Sequence, residues 1–338
     1  MKNLLAILLT LSVGVCFANN DSSYYYLKQG QFEKSQKRLL VAHQAFEKAI
    51  QFDSYNKEAY IENAAVLTEM RRLHQAKENY EKLLQVDPAN AIALHEMMDI
   101  NYNYRQYNKA IEFANKCNDC SSKNKIIGMS YYHLEDYAAA EKFLQAALKE
   151  NQNDAEVVYT LGRNYLDMEY YKQAVPWYEK AIAMPGAKNV WMYELGLIYY
   201  NNNDYKNAVI AFEKAAASGY EQKNDFNENL GYAALYAGQY EKGENLLLGI
   251  LKRKPNNTVL LRDMSEAFYS QKQYDKSLQY CQKLMEIDAK DGKALYQAGL
   301  CFIKKGEKDR GQQMCDKAIE MDPSLEKLRR KKEMPGSL

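Results

Sequence analysis

The sequence predicts an all-α fold made of stacked helical hairpins. Two stretches, beginning at Ala155 and Asn189, can be laid over each other because the same residue types recur 34 residues apart. A fixed period of this length is typical of a repeat architecture, in which each unit buries its apolar faces against its neighbours. The recurring pairs are Leu161 and Leu195, Gly162 and Gly196, Tyr165 and Tyr199, Tyr171 and Tyr205, Ala174 and Ala208, Tyr178 and Phe212, and Ala181 and Ala215.

Each unit is predicted to contain two helices joined by a turn. Residues from Val158 to Tyr165 recur at i, i+3, i+4 and i+7, which is one face of a helix. Gly162 lies inside that stripe and indicates that a second backbone comes close, because glycine otherwise weakens a helix. A second helical stripe runs from Ala174 to Ala181. One hairpin cannot bury both stripes, so we expect it to stack on its neighbours.

This pattern resembles the tetratricopeptide repeat family, whose units carry Leu-Gly-x-x-Tyr in the first helix, then Ala-x-x-x-Phe and a helix-ending proline. The resemblance covers nearly the whole chain after its first segment. It implies an all-α, right-handed superhelical solenoid of about nine helix-turn-helix repeats. The residues that carry it in the clearest unit are Leu161, Gly162, Tyr165, Ala174, Tyr178 and Pro185.

The units follow one another between residues 23 and 325. The third, 91–120, has only 30 residues. It is therefore short by about one helical turn, and we expect a hinge or a change of twist near Cys120. Residues 326–338, which read EKLRRKKEMPGSL, are predicted to form a charged C-terminal cap and tail. The other units begin near Ser23, Lys57, Ser121, Ala155, Asn189, Asp225, Thr258 and Gly292.

The first 18 residues, MKNLLAILLTLSVGVCFA, contain one lysine, an apolar run and a small residue at the end. This arrangement is typical of a secretory signal peptide, here cleaved after Ala18, and it leaves residues 19–22 as a short leader. The alternative is a lipoprotein signal with Cys16 acylated. It is disfavoured because Val15 is larger than the residue that usually precedes a lipidated cysteine. We therefore expect a secreted protein of a bacterial periplasm or cell envelope.

The composition argues against two classes of partner. Lysine and arginine together number 45 and aspartate and glutamate 44, so no excess of positive charge favours nucleic acid. No apolar run after the first segment is long enough to cross a bilayer. The sequence thus predicts a chain that does not bind nucleic acid and does not span a membrane.

No catalytic constellation is visible in the sequence. The four histidines show no metal-ligand spacing such as His-Glu-x-x-His, and no phosphate-binding loop or Ser–His–Asp order occurs. Acidic residues are spread along the predicted helices, as on solvated faces. The sequence predicts no enzyme activity, no cofactor and no metal site.

Cys117 and Cys120 form a single Cys-x-x-Cys motif. It is only half of a zinc site, because no second pair follows at a suitable spacing. Redox motifs of this type gain thiolate character from a helix N-terminus, whereas these cysteines follow the C-terminal end of a predicted helix. A structural disulfide and a pair of free thiols are the two interpretations that remain. Cys281, Cys301 and Cys315 occupy helical packing positions.

Tyrosine is unusually frequent in this chain, with 29 residues, and the positions of these residues bear on function. Several tyrosines lie beside the packing stripe of a first helix rather than on it. In the resembled family this side of the first helices lines a concave groove that binds peptide segments. The alternative is that the rings pack sideways on adjacent first helices. The candidate partner-binding residues are Tyr102, Tyr132, Tyr159, Arg163, Tyr193, Tyr200, Tyr232, Tyr236 and Tyr269.

The function predicted from these features is a non-catalytic protein–protein interaction scaffold that uses a tyrosine-rich concave groove outside the cytoplasm. Two alternatives are a glycan- or small-ligand-binding module with the same groove and a structural factor in envelope assembly. Members of the resembled family that bind acidic chaperone tails use basic and asparagine residues in the groove. Comparable positions here hold mostly tyrosine, glutamate, aspartate and leucine, so that use is not expected.

Overall fold

The computed structural model describes residues 20–328. The predicted signal peptide, the alternative lipid anchor at Cys16 and the tail after residue 328 lie outside the described residues. Helix α1 spans 20–35 and so includes most of the predicted leader. By their contacts, the residues divide into two compact parts, each containing several repeats. From here on we call them the first unit, which ends at Glu169, and the second unit, which begins at Tyr170.

Helices account for nearly all of both units, and the described residues contain no β-strand, so the all-α prediction is confirmed. In the first unit, α1 is followed by α2 (Leu39–Phe52), α3 (Lys57–Glu69), α4 (Leu73–Val86), α5 (Ala91–Asn103), α6 (Tyr107–Lys116), α7 (Lys123–His133), α8 (Tyr137–Glu150) and α9 (Ala155–Asp167). The second unit contains α10 (Tyr171–Ile182), α11 (Asn189–Asn201), α12 (Tyr205–Ala217), α13 (Asn224–Tyr236), α14 (Tyr240–Leu251), α15 (Thr258–Ser270), α16 (Tyr274–Ile287), α17 (Gly292–Lys304), α18 (Lys308–Met321) and a short 3₁₀ helix, Pro323–Leu325.

Consecutive helices pair as the repeat pattern predicts. We call the odd-numbered helices first helices and the even-numbered ones second helices. In the first unit α3 packs on α4, α5 on α6 and α7 on α8; in the second, α11 packs on α12, α13 on α14, α15 on α16 and α17 on α18. First helices also contact the next first helix, as α5 does α7 and α13 does α15. Within each unit they therefore form one surface, the first-helix face.

Close approach of the two helices in a hairpin explains the glycines of the motif. A Cβ atom added at Gly196 would lie 2.6 Å from Cδ1 of Phe212, a fully buried ring of the paired helix α12. In α13 and α14 both crossing positions are glycine, and a Cβ at Gly243 would lie 2.6 Å from the carbonyl oxygen of Gly231. Helices α17 and α18 cross in the same way at Gly299 and Gly311.

A residue in the left-handed conformation ends each first helix. At most of these turns the N–H of the residue after it donates to a carbonyl in the last helical turn, as from Arg72 to Leu67 at 2.8 Å and from Gln239 to Ala234 at 2.8 Å. This backbone closure is the Schellman motif. The left-handed residues are Lys37, Arg71, Arg105, Glu135, Glu169, Asn203, Gly238, Lys272 and Gly306, and they recur 34 residues apart except for one interval of 30 and one of 35.

The third repeat is shorter than the others because its second helix lacks about one turn. Helix α6 has 10 residues, whereas α4 and α8 have 14 each. A loop follows in which Cys117 and Cys120 are joined by a disulfide, with Cα atoms 5.6 Å apart. Lys123 Nζ donates to the Cys117 carbonyl at 2.9 Å, and Ser122 is left-handed just before α7. The hinge expected at this point stays a prediction.

Candidate partner-binding face

The candidate residues all lie on first helices, and all are half-buried. The first unit carries Tyr102 on α5, Tyr132 on α7, and Tyr159 and Arg163 on α9. The second unit carries Tyr193 and Tyr200 on α11, Tyr232 and Tyr236 on α13, and Tyr269 on α15. Because a half-buried ring both packs and presents an edge to solvent, the contacts of each ring decide what remains available to a partner.

On the first unit, Tyr102 reaches from α5 to α7. Its hydroxyl lies 3.7 Å from Met129 Sδ and 3.5 Å from His133 Nε2. The ring of His133 in turn stacks on Tyr107, with centroids 4.7 Å apart. Burial, with a smaller contribution from the charge of Glu156, raises the pKa of Tyr102 to about 12. Tyr102 is therefore a neutral phenol at physiological pH.

Two cations of this unit, Lys125 and Arg163, pair with three carboxylates near α7 and α9, whereas the half-buried Asp99 of α5 has no lysine or arginine partner in the described part of the chain and burial raises its pKa. Tyr132 donates to Asp167 Oδ2 at 2.6 Å, and Arg163 Nη2 lies 3.4 Å from the other oxygen, Asp167 Oδ1. Lys125 Nζ lies 2.9 Å from both Asp154 and Glu156. Burial lowers the pKa of Lys125, but its hydrogen bonds to these carboxylates outweigh burial and the net shift is upward.

In the second unit, Tyr193 packs between repeats. Its ring stacks on Tyr220 with centroids 4.5 Å apart and lies 5.7 Å from Phe226. Its hydroxyl accepts a hydrogen bond from Asn229 Nδ2 at 2.8 Å. Tyr193 thus joins α11 to α13, which is the sideways packing that the alternative interpretation describes.

Three more rings form a cluster at the end of α11 and α13. Tyr205, the first residue of α12, lies 5.4 Å from Tyr200 and stacks on Tyr236 at 4.9 Å between centroids. Burial and the neighbouring rings raise the pKa of Tyr200 to about 12. Tyr269 makes the corresponding contact two repeats later, 5.6 Å from Tyr274.

Beside this cluster lie two carboxylates that form no ion pair. Tyr232 donates to Asp263 Oδ2 at 3.5 Å, and Glu228 is one turn before Tyr232 on α13. Burial, followed by the charge of Asp263, raises the pKa of Glu228, and burial raises that of Asp263 itself. The neighbouring Arg262 instead holds Asp291 at 2.7 Å. Within residues 20–328 neither Glu228 nor Asp263 forms an ion pair.

One side-chain arrangement was not expected from the sequence. Ser121 Oγ lies 3.4 Å from His95 Nε2, and His95 Nδ1 lies 3.7 Å from Asp99 Oδ2. The second distance is too long for the hydrogen bond that fixes a catalytic histidine. The contact between Ser121 and His95 could not be predicted from the sequence, because the two residues are brought together by the path of the disulfide loop and not by a regular spacing. We assign no chemistry to this trio.

The other cysteines are inert by their surroundings. Cys281, Cys301 and Cys315 are buried, and burial raises the pKa of Cys281 to about 11. Over residues 20–328 no cluster of three histidine, cysteine or acidic side chains is arranged to hold a metal ion. In the same part of the chain, no helix has the length and apolar character needed to traverse a bilayer.

Two family models, both described as tetratricopeptide repeat, match the sequence. One matches residues 159–222 and 229–292, and the other matches 58–90, 126–154 and 292–325. Together these segments make up more than half of the chain. A search of curated proteins found no match.

Solved structures of similar fold include the C-terminal part of a TPR repeat-containing protein from Cytophaga hutchinsonii, with 20% identity over 70% of this chain and 98% of that one, at a TM-score of 0.48. A tetratricopeptide repeat protein from Parabacteroides merdae shares 19% identity over 62% and 82%, at 0.40. The TPR domain of P58(IPK) shares 16% over 91% and 97%, at 0.29. At these TM-scores no functional conclusion follows from them.

Proposed function

The chain belongs to the tetratricopeptide repeat family, and we propose that it is a non-catalytic scaffold whose first-helix face binds extended, basic segments of partner proteins. Tetratricopeptide repeat proteins bind protein partners. The finer part of the proposal, the basic character of the segment, rests on a single observation: the half-buried, unpaired carboxylates Glu228 and Asp263 lie beside Tyr200, Tyr232 and Tyr236.

This combination suits a lysine or arginine side chain. A carboxylate that is partly desolvated without a counter-ion raises the free energy of the unbound protein, and an incoming cation relieves that penalty. Tyrosine faces attract the same cation through their ring quadrupole and add contact area at a low entropic cost. The second unit therefore offers charge and aromatic surface together, within reach of one extended peptide.

Fluorescence anisotropy with a labelled Lys/Ala octapeptide, and with its Glu/Ala counterpart, tests the proposal. We expect the lysine peptide to bind and the glutamate peptide not to bind at low salt and neutral pH. The double variant Glu228→Gln/Asp263→Asn should weaken binding of the lysine peptide about tenfold, which corresponds to about 1.4 kcal/mol for the loss of the two charge contacts together.

The control is Glu241→Gln, which alters an exposed glutamate on the second helix α14. It removes one negative charge without touching the proposed site, so the affinity should stay within twofold. Equal binding of both peptides, or equal loss in both variants, would show that the basic segment is not recognised here.

Binding should also depend on pH with a definite sign. The pKa values of Asp263 and Glu228 are raised above their ordinary values of 3.8 and 4.5. As the pH falls through these raised values both groups become neutral, and affinity for the lysine peptide should fall with it. At these two groups the folded state gains protons more readily than the unfolded state, so their own contribution to stability rises as the pH falls; it is measured as the difference between the unaltered protein and the Glu228→Gln/Asp263→Asn variant. Isothermal titration and thermal melting at pH 7 and pH 4.5 separate the two effects.

The location proposed with this function is the periplasm or cell envelope, on the strength of the sequence of residues 1–18. N-terminal sequencing of exported protein should begin at Asn19; a chain that begins at an acylated Cys16 would replace the soluble form with an anchored one. A glycan-binding role would use the same tyrosines, with the carboxylates as acceptors for sugar hydroxyl groups, so a glycan array provides the discriminating measurement.

A further inference from the structure

One position on each second helix fills the space opposite the crossing residue of the first helix. It lies sixteen residues after the crossing residue, and we call it the slot. A Cβ added at Gly196 would lie 2.6 Å from Cδ1 of Phe212, and one at Gly231 would lie 2.8 Å from Cδ2 of Leu247, so both slot side chains reach the crossing. The slots with large side chains hold Phe46, Tyr80, Leu144, Tyr178, Phe212 and Leu247, and all six are buried.

Three slots hold small side chains, which are Ala114, Cys281 and Cys315. Opposite the alanine the crossing residue is Met98, a large side chain in the same buried cluster. Leu325 of the 3₁₀ helix packs in one cluster with Cys315. At Cys281, by contrast, the crossing residue is the small Ser265, whose hydroxyl lies 3.0 Å from the thiol. In the hairpin of α15 and α16 neither residue of the crossing therefore compensates for the small size of the other.

A cavity of about 120 Å³ lies at this crossing. Its lining includes Ser265, Cys281, Leu284, Ala294 and Gln297, from α15, α16 and α17. Replacing a large core side chain by a small one leaves such a space when the surrounding helices do not collapse into it. In size the cavity approaches the engineered cavities of about 150 Å³ that bind benzene. It can therefore hold one aromatic ring.

One polar group of the lining lacks a partner. The Nε2 atom of Gln297 is buried and forms no hydrogen bond with any residue between 20 and 328. Gln297 follows the slot residue Cys281 by sixteen positions, and Glu194 follows the slot residue Tyr178 by the same number. The hydroxyl of Tyr178 donates to Glu194 Oε2 at 2.9 Å. Where the slot holds a tyrosine, its ring and the next first helix thus form a hydrogen-bonded pair; at Cys281 the ring is missing and the amide remains.

We propose that this cavity binds a small single-ring aromatic molecule that carries an oxygen acceptor, with phenol as the simplest example. The ring would take the place that the tyrosine ring occupies in the slot of α10. Its oxygen would accept a hydrogen bond from Gln297 Nε2, which relieves the cost of a buried donor without a partner. Cys281, Leu284 and Ala294 provide the apolar contacts for the ring.

A ligand-observed NMR titration of the full chain with phenol and with toluene tests the proposal. The two molecules have the same number of heavy atoms, but toluene has no oxygen. We expect phenol to bind. In the variant Gln297→Leu, the affinity for phenol relative to that for toluene should fall about fivefold, because one neutral hydrogen bond is lost. The control is Gln282→Leu, which alters an exposed glutamine on α16 and should leave both affinities unchanged.

A second variant tests where the ligand lies. Cys281→Tyr places a ring in the slot, as Tyr178 does in α10, so it should abolish the binding of both molecules and keep the helical circular dichroism. Should this variant not fold, the ratio of the two affinities in Gln297→Leu decides the question without it.

Three results would overturn the proposal. The first is a full chain that does not bind phenol, which would mean that water or another part of the chain fills the cavity. The second is phenol binding that persists in folded Cys281→Tyr, and the third is an unchanged affinity ratio in Gln297→Leu. The peptide assay with Glu228 and Asp263 uses other residues and another ligand, so its outcome is independent of these.

Discussion

The two units carry similar tyrosines on their first-helix faces, but the carboxylates beside those tyrosines differ in whether they form ion pairs. In the first unit, Asp154 and Glu156 share Lys125, and Asp167 is held by Arg163. In the second unit, Asp263 forms no ion pair among the described residues; it accepts from the hydroxyl of Tyr232 and is stabilised further only by the charge of the neighbouring Arg262. A carboxylate that is already paired gains little from a charged ligand, because each new ion pair must first break an old one. Asp99 of α5 is the exception in the first unit, since its nearest charged partner is His95 at 3.7 Å. Tyrosine content alone therefore does not locate a binding surface. Whether the neighbouring carboxylates already form ion pairs is the more useful guide.

The units also hold their helices together by different means. The first contains the disulfide loop and a shortened α6, so its irregular repeat is closed covalently. The second contains the glycine crossings at Gly231 with Gly243 and at Gly299 with Gly311, where the helices meet backbone to backbone. Replacing the disulfide cysteines should destabilise the first unit, and replacing a crossing glycine should destabilise the second.

The largest effect should come from Gly243→Ala in α14. The new methyl group would lie 2.6 Å from the carbonyl oxygen of Gly231 and 2.8 Å from the backbone nitrogen of Leu235, so α13 and α14 must separate. We expect a loss of about 2 kcal/mol in the free energy of unfolding. Gly249→Ala in the same helix meets no atom within 4 Å and should instead stabilise it by up to about 1 kcal/mol. Urea denaturation of both variants checks this; a similar loss in both would mean that the crossing is not tight.

Next in size is the disulfide of the first unit. Closing a loop of four residues removes little freedom from the unfolded chain, so Cys117→Ala/Cys120→Ala should lower the free energy of unfolding by about 2 kcal/mol or less. Dithiothreitol should lower the melting temperature of the unaltered protein and leave that of the variant unchanged. A reductant effect in the variant would show that the effect does not come from the Cys117–Cys120 bond, because the buried cysteines of the second unit are free thiols and offer nothing to reduce.

Lys125→Met should have a smaller effect on stability and an informative effect on binding. It leaves Asp154 and Glu156 without their shared cation, and a partly buried pair of this kind contributes about 1 kcal/mol. The first unit would then resemble the second, so affinity for the Lys/Ala octapeptide should increase in the Glu228→Gln/Asp263→Asn background. Lys116→Met, which removes a more exposed partner of Glu112, provides the control and should change neither quantity appreciably. If Lys125→Met did not increase the affinity, the absence of a paired cation would not be what makes a carboxylate bind the peptide.

The smallest effect is expected at a turn of the second unit. Lys272 is left-handed with φ of 60° and exposed, so Lys272→Gly should relieve strain and stabilise the fold by about 0.5 kcal/mol. Gly238→Ala at the equivalent place, where φ is 83°, should act with the opposite sign. Thermal melting of the two variants measures the difference; shifts in the same direction would contradict it.

The period of the sequence predicted the helices and their pairing because packing at the crossing requires small residues at fixed places, as at Gly196 and Ala208. It also located the candidate tyrosines on the first helices. It could not give their partners. The hydroxyl of Tyr132 meets Asp167, 35 residues later, and Tyr193 meets Asn229, 36 residues later. Such contacts depend on how two repeats stack, and nothing in the spacing within one repeat distinguishes an anchored ring from an available one.

The left-handed turns have a consequence for how such a chain can change in length. Their closing hydrogen bonds join main-chain atoms only, as from Arg72 to Leu67 and from Gln106 to Asn101. Side chains as different as lysine, glutamate and asparagine therefore occupy the same place. Deleting residues 72–105 would join Arg71 to Gln106 and recreate a junction of the same kind. Genetic duplication or loss can thus proceed by whole hairpins at these turns, without a compensating change in the residues that form the joint.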